Sequence, residues 1–247
     1  MKIIKLDAID STNSFLKKKL SNQKIDDLTI VYSKNQFKGR GRTNKEWISE
    51  PNKNIAFSLF KKFKTNDLEH LFLLNLIVSI SILDLLKKFS VKNASVKWPN
   101  DIMVKNKKIS GILIESKIKK NNSIYSIIGI GININQEKFP DNMSATSIIN
   151  ETGNFSDVDL LATELADIII SNFKINESNS IFFLKEYNKK LHNKNQIIYF
   201  QNKFTETKVG KIVKVDLSGN LMVMNERGKI KYFKENEIIF KKIDSIL

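Results

Sequence analysis

Two Ile-rich runs, residues 108–119 and 123–134, flank the pair Asn121-Asn122. Extended runs on either side of an Asn pair read as a long β-hairpin. A hairpin of that length commits the core to a mixed or antiparallel sheet, so the all-helical classes are excluded. The other elements are placed around it. Residues 2–9 alternate like a strand, and Ser11-Thr12-Asn13 offers capping side chains ahead of Phe15, Leu16 and Leu20 at helical spacing. Residues 28–33 and 54–60 read as strands. Between them, residues 34–47 are polar and aperiodic, the composition of a mobile loop. Asp67 is placed to cap a helix running to about Phe89. Residues 95–98 and 101–104 form strands broken by Pro99. Asp157 begins a helix to about Phe173, and residues 180–191 supply another. From Asn195 onward short strands dominate, with turns expected at Gly210, Ser218-Gly219-Asn220 and Arg227-Gly228. The expectation is an α+β chain divided near residue 193, with a larger unit over 1–192 and a small all-β unit over 193–247.

Composition narrows the function. There is no Cys, which removes disulfides, thiolate-held zinc and any acyl transfer through a thiol. His70 and His192 are isolated, too few for a histidine metal cluster. The longest uncharged apolar stretch, residues 71–83, is interrupted by Asn75, Ser79 and Ser81 and falls short of the roughly 20 residues a membrane span needs. The start has neither a long apolar segment nor a small-residue cleavage site, so a cytoplasmic protein with no membrane partner is expected. The net charge of +15 is spread over scattered lysine pairs and triplets instead of one stripe interleaved with aromatics. That distribution is a solvated basic surface rather than a nucleic-acid track.

Against this lysine background the scarce residues stand out. Arginine occurs three times, and two of the three are Arg40 and Arg42. A guanidinium fork pairs with carboxylate or phosphate in a way lysine does not. Five of the nine glycines are Gly39, Gly41, Gly111, Gly129 and Gly131. Gly39-Arg40-Gly41-Arg42 with Trp47 reads as a loop that grips an anion. It matches neither the dinucleotide fingerprint, which fails at Asn44, nor the P-loop spacing. Lys97-Trp98-Pro99-Asn100-Asp101 aims polar groups at a cleft. Lys108 opens a strand that lacks a side chain at Gly111, leaving room for a ligand. Gly129 and Gly131, one residue apart, clear one face of their strand for a ligand or for another backbone. Asn133 follows with a donor and an acceptor suited to a purine edge.

The order of these motifs, from Ser11-Thr12-Asn13 through Gln36, the Arg-Gly loop with Trp47, residues 97–101, 108–115 and 129–133 to the β-rich tail, resembles that of the biotin protein ligases over essentially the whole chain. The resemblance implies a catalytic domain akin to class II aminoacyl-tRNA synthetases and a small SH3-like β-barrel at the C-terminus. It implies ATP, Mg²⁺ and biotin as reactants, biotinyl-5′-adenylate as intermediate, and a lysine of a biotin carboxyl carrier domain as acceptor. Carried over residue by residue, Lys108, Asp101, Arg42 and Arg40 form the catalytic group. Ser11, Thr12, Asn13, Gln36, Gly39, Gly111 and Gly129 enclose biotin together with Arg40, Arg42 and Lys108. Trp47, Gly131 and Asn133, with Arg42 and Lys108, enclose the nucleotide. Asp101 would orient or deprotonate the incoming amine, or else ligate Mg²⁺; no other side chain is assigned to the metal. With only ten residues ahead of Ser11, no operator-binding domain and no specific DNA partner are expected, and a homodimer is left open. The chain departs from the family pattern at Thr43, Asn44, Lys45 and Glu46, where further basic residues are common, at Asn52 and Asn54, where glycine is common, and more weakly at residues 145–148. Two alternatives remain: a lipoate-protein ligase, which shares the fold and the adenylate logic, and a non-catalytic RNA-binding relative.

Overall fold

The structure, a computed structural model, describes residues 2–63, 69–118, 124–176, 180–201 and 207–241. In chain order the elements are β1 (Lys2–Leu6), α1 (Thr12–Asn22), β2 (Thr29–Ser33), β3 (Gly39–Arg40), β4 (Glu46–Trp47), β5 (Asn54–Phe63), α2 (Glu69–Lys88), β6 (Ala94–Lys97), β7 (Asp101–Val104), β8 (Lys107–Ile118), β9 (Ile124–Asn133), α3 (Ile148–Thr152), α4 (Val158–Asn176), α5 (Ser180–Lys189), β10 (Ile197–Gln201), β11 (Lys208–Val215), β12 (Leu221–Asn225), β13 (Ile230–Phe233) and β14 (Ile239–Lys241). The expected hairpin is β8 with β9, paired antiparallel from Ser110–Ile132 to Ile118–Ile124. Its Asn121-Asn122 turn with Ser123, and the helix cap assigned to Asp67, lie outside the described residues.

β8 and β9 sit in a seven-stranded sheet of order β1-β2-β5-β9-β8-β7-β6. Only β1 and β2 run parallel, and every other neighbouring pair is antiparallel, so the fold is α+β on a mixed sheet. The second sheet, of order β13-β12-β11-β10-β14, is antiparallel throughout, with β13 and β14 as its edges among the described residues.

Because side chains alternate along a strand, the central strands carry two different faces. One bears Phe57 and Leu59, Ile128 and Ile130, and Ile112; these pack with Leu74, Ile77 and Leu85 of α2 and Leu161, Leu165 and Ile169 of α4. The same core continues through Phe183 and Tyr187 of α5 to Ile198, Ile212, Val215 and Leu221 of the second sheet. The opposite face is only partly covered. There Leu16 of α1 packs with Ile25, Val31, Phe60 and Ile127 in a smaller cluster. Burying Leu16 completely is worth about 1.5–3 kcal/mol and seats α1 on the sheet. Beyond that cluster the same face carries Ala56 and Ser58 on β5, Gly129 and Gly131 on β9, and Gly111 on β8, opposite one another in register. Small residues on three adjacent strands leave a trough beside α1.

Three expectations change. The first strand ends at Leu6, and Ile9 makes only an isolated bridge to Gln36. Residues 34–47 are not without structure: β3 pairs with β4 to form a two-stranded ribbon, closed by a single 3-10 turn at Arg42–Asn44. Gly210 is no turn. It lies inside β11 opposite Ile198 and Asn225, where a methyl group would come within 2.6 Å of Val223, so close packing rather than chain reversal requires glycine. The short helix α3 was not anticipated; Ser147 caps its start, and Gly153, at φ 74°, ends it in the left-handed conformation. No described helix is long and apolar enough to cross a membrane.

Candidate active site

The trough is bordered first by the start of α1. Ser11 is the N-cap, its hydroxyl accepting from the Ser14 amide at 3.4 Å, while Asp10 Oδ1 accepts from the Ser11 amide at 2.6 Å. That cap turns Thr12 and Asn13 inward, where both are buried. The Thr12 amide donates to Gln36 Oε1 at 2.9 Å. Asn13 donates through Nδ2 to Glu115 Oε2 at 2.9 Å, and the buried Ser58 hydroxyl lies 2.6 Å from Asn13 Oδ1 and 2.7 Å from Thr12 Oγ1. Gly129 makes this seat available, since a methyl group there would come within 2.6 Å of Asn13 Oδ1.

The second border is the β3-β4 ribbon. Gly39 does not line the cavity; a side chain there would meet the Trp47 carbonyl at 2.5 Å and Gln36 Nε2 at 2.8 Å, so it supports those two residues. The Trp47 indole lies directly on Gly131, and a methyl group at Gly131 would run into the ring. The face cleared by Gly129 and Gly131 is therefore covered by the side chains of Asn13 and Trp47 rather than by another backbone. Trp47 Nε1 is buried without a hydrogen-bond partner among the described residues, a state that buried polar atoms rarely keep once a site is filled.

A bulge supplies the third border. Ile102 opposes Ser110 but Met103 opposes Lys108, so β8 carries one extra residue, Ile109. Strict alternation from Gly111 would turn Lys108 to the helix-covered face; the bulge turns it onto the Gly111 face instead. The backbone there is pinned, with the Lys108 amide donating to Ser144 O and the Thr146 amide to Lys108 O, both at 2.9 Å. The Lys108 ammonium lies 2.5 Å from Asp101 Oδ1, 5.5 Å from the centre of the Trp47 ring, and over Gly111, where a methyl group would approach it to 3.0 Å.

The two loop arginines are used differently. Arg40 is exposed at the cavity rim. Arg42 pairs with Glu235, between β13 and β14, and so ties the ribbon to the second sheet. Burial lowers the Arg42 pKa from its usual value, with the nearby Asp101 charge opposing the shift.

Two spaces result. A cavity of about 60 Å³ is bordered by Thr12, Gln36, Arg40, Trp47, Lys108 and Gly111. A wider groove of about 900 Å³ runs past Arg42, Trp47, Asp101, Lys108 and Asn133 to Glu235 and Phe240. Asn133 lies at its wall but is buried, its Nδ2 donating to Thr146 O at 2.9 Å, so that donor is committed to the chain itself. Among the described residues no three acidic or histidine side chains gather to hold a metal ion. Asp101 alone, already paired with Lys108, does not make a cage; Mg²⁺ with a nucleotide is commonly carried by phosphates and water with one or two carboxylates.

The sequence reading gave no role to Ser58, Glu115 or Glu235. Ser58 has no distinguishing neighbours in sequence, Glu115 closes the 108–115 run, and Glu235 becomes informative only once the second sheet is placed.

A family model for the biotin/lipoate A/B protein ligase family matches residues 6–133. The bifunctional ligase/repressor BirA of Escherichia coli K12 is 30% identical over 146 residues, 59% of this chain and 43% of that protein. A biotin–[acetyl-CoA-carboxylase] ligase of Paracoccus denitrificans is 31% identical over 149 residues, covering 55% of this chain and 60% of its own length. The matched region thus spans about half the length of these curated relatives. Among solved structures, a biotin protein ligase from Aquifex aeolicus in complex with biotin and ATP superposes with a TM-score of 0.80 at 27% identity, over 98% of this chain and 99% of that one. The matched residues take in the α1 cap, the ribbon, the bulge and both trough glycines of β9, and on that match the chain belongs to the biotin/lipoate A/B protein ligase family.

Proposed function

We propose that the protein is an ATP-dependent ligase that condenses biotin with ATP to biotinyl-5′-adenylate and passes biotin to a lysine of a biotin carboxyl carrier domain. The observation that carries this reading is the trough itself: a neutral polar end at Thr12 and Gln36, a floor of small residues flanked by Asn13 and Trp47, and a cationic end at Lys108 with Arg40 and Arg42 at the ribbon. A cyclic urea needs neutral donors and acceptors, an apolar chain needs a smooth floor, and a carboxylate beside a phosphate needs fixed positive charge. The Aquifex aeolicus neighbour in complex with biotin and ATP supports the same pair of substrates. We further propose residue 193 as the boundary between the catalytic unit and the C-terminal unit, and the cytoplasm as the compartment.

In the first half-reaction a biotin carboxylate oxygen attacks the α-phosphorus, the bond to the β-phosphate bridging oxygen breaks, and pyrophosphate leaves. Lys108, aimed by the bulge, faces the charge that develops on the non-bridging oxygens, and the arginines screen the repulsion between the two anions. In the second half-reaction the carrier amine attacks the acyl carbon, the carbon–oxygen bond to phosphate breaks, and AMP leaves. Asp101, paired with the Lys108 ammonium, orients that amine and accepts its proton in this reading. Trp47 on Gly131 walls the nucleotide side and helps exclude water from the hydrolysis-prone anhydride.

Purified protein with ATP, Mg²⁺ and biotin is expected to release pyrophosphate and to add one biotin mass to a carrier domain by mass spectrometry. Activity with lipoate and none with biotin, or no pyrophosphate exchange with either, would overturn the proposal.

A further inference from the structure

We propose that Glu115 is a positioning residue that sets the hydrogen-bond direction of a chain running through Asn13 and Ser58 to Thr12, so that Thr12 presents a lone pair to the pocket and selects a ligand that donates an N–H there. The inference rests on the pocket being the biotin site, since biotin's cyclic urea carries two such N–H groups.

Glu115 is on β8, on the same face as Gly111, but lies beyond the cavity wall and touches it only through Asn13. Its Oε1 accepts from Lys17 Nζ at 2.5 Å and its Oε2 from Asn13 Nδ2 at 2.9 Å. An ionised carboxylate only accepts, so the Asn13 amide must turn its NH₂ toward Glu115 and its carbonyl oxygen toward Ser58. The Ser58 hydroxyl lies within hydrogen-bond distance of two oxygens, Asn13 Oδ1 at 2.6 Å and Thr12 Oγ1 at 2.7 Å, and has one hydrogen. Asn13 Oδ1 has none to offer. The Ser58 hydrogen therefore goes to Asn13, and Ser58 Oγ is left to accept from the Thr12 hydroxyl. That contact is shorter than the 3.3 Å from Thr12 Oγ1 to Gln36 Oε1, which already receives the Thr12 amide. With its hydrogen directed inward, Thr12 offers the cavity only lone pairs.

Every member of the chain is fixed from outside it. Asn13 is clamped on Gly129, Ser58 is fully buried in β5, and Thr12 is in the first turn of α1. Reversing the direction at Glu115 would reverse it throughout and turn Thr12 from acceptor to donor. Two N–H or O–H donors would then face each other across the pocket, leaving one buried and unpaired.

The test separates this directional role from simple anchoring of α1. Glu115→Gln keeps the shape but offers a donor as well as an acceptor, whereas Glu115→Asp keeps an acceptor-only group. Lys17→Met breaks the same ion pair yet leaves the carboxylate in place. Glu115→Gln should raise KM for biotin about 10-fold or more with kcat and KM for ATP little changed, Glu115→Asp should restore most of the affinity, and Lys17→Met should stay within about twofold of the parent. Equal KM increases in Glu115→Gln and Lys17→Met, or a parental KM in Glu115→Gln, would overturn the proposal. A ligand-free readout keeps it separate from the ligase assignment: the Asn13 side-chain amide proton, followed by NMR in the unliganded protein, should shift in Glu115→Gln and hardly move in Lys17→Met. If the amide responds so but the parent forms no adenylate from biotin, the hydrogen-bond direction stands and the biotin assignment fails, taking the claimed selectivity with it. An unchanged amide refutes the direction whatever the ligand.

Discussion

At the scale of single residues, Lys108 and Asp101 form one ion pair. Their charged atoms lie 2.5 Å apart across β7 and β8, and removing either leaves the other without its nearest partner. The Lys108→Ala enzyme should lose about 10²-fold or more in pyrophosphate release, the scale of removing one donor from developing transition-state charge. Asp101→Asn should slow both half-reactions, because it also frees Lys108 to leave its place over Gly111. The double variant should be scarcely slower than Lys108→Ala alone, a coupling of about 0.5–3 kcal/mol in the double-mutant cycle; strict additivity in single-turnover rates would show that the two residues act apart. Sequence exposed these residues unequally. Arg40 and Arg42 were visible because arginine is rare in this chain, whereas Lys108 is one among many lysines, and the extra residue at Ile109 that re-aims it leaves no mark on the hydrophobic pattern. Asn133 was read as a nucleotide contact from its functional groups and from the family resemblance, and only the fold reveals that its donor is taken by Thr146.

At the scale of elements, the long strands and helices were legible because they are long enough to display a period. The β3-β4 ribbon was not, since two-residue strands carry no periodicity and its glycines read equally well as loop. The ribbon's geometry gives its function a measurable form. Arg42 pairs with Glu235, so an adenylate phosphate would have to compete with that carboxylate for the guanidinium. Arg42→Gly should speed the release of preformed adenylate by one to two orders of magnitude, about 1.4–3 kcal/mol, and biotinylate bystander lysines on a protein such as albumin. Glu235→Gln should act in the opposite sense and slow release, by leaving Arg42 to the phosphate. Stopped-flow release rates that are the same in all three proteins would remove the ribbon from adenylate retention.

At the scale of the molecule, the two sheets share one apolar core and meet near His192. Its amide donates to Val96 O of the edge strand β6 at 2.8 Å, and its Nδ1 lies 2.9 Å from Ser95 Oγ. Burial lowers the imidazole pKa, and Lys97 acts in the same direction. The unfolded chain therefore binds this proton first. The stability that neutral His192 contributes is complete above its unfolded value of about 6.5 and is lost as pH falls through the lower folded value. Thermal melts of the parent and His192→Gln should differ most above pH 6.5 and converge on acidification; a gap that widens toward acid would contradict this linkage. The small all-β unit was legible in outline from its turn residues, but Gly210 was assigned the wrong job because a glycine needed for close packing and one needed for chain reversal look alike in sequence.

The trough is floored by β5, β9 and β8, the three central strands of the larger sheet, and roofed by a ribbon of two short strands. Floor and roof should therefore keep different clocks. Amide hydrogens at Phe57, Ile130 and Ile112 should exchange with solvent only when the whole domain opens, while those of the ribbon should exchange through local fraying. Biotinyl-adenylate should thus slow deuterium uptake sharply over residues 39–47 and leave the already protected floor almost unmoved. Recognition would reside in a surface that does not change on binding, and the lifetime of the complex in one that does.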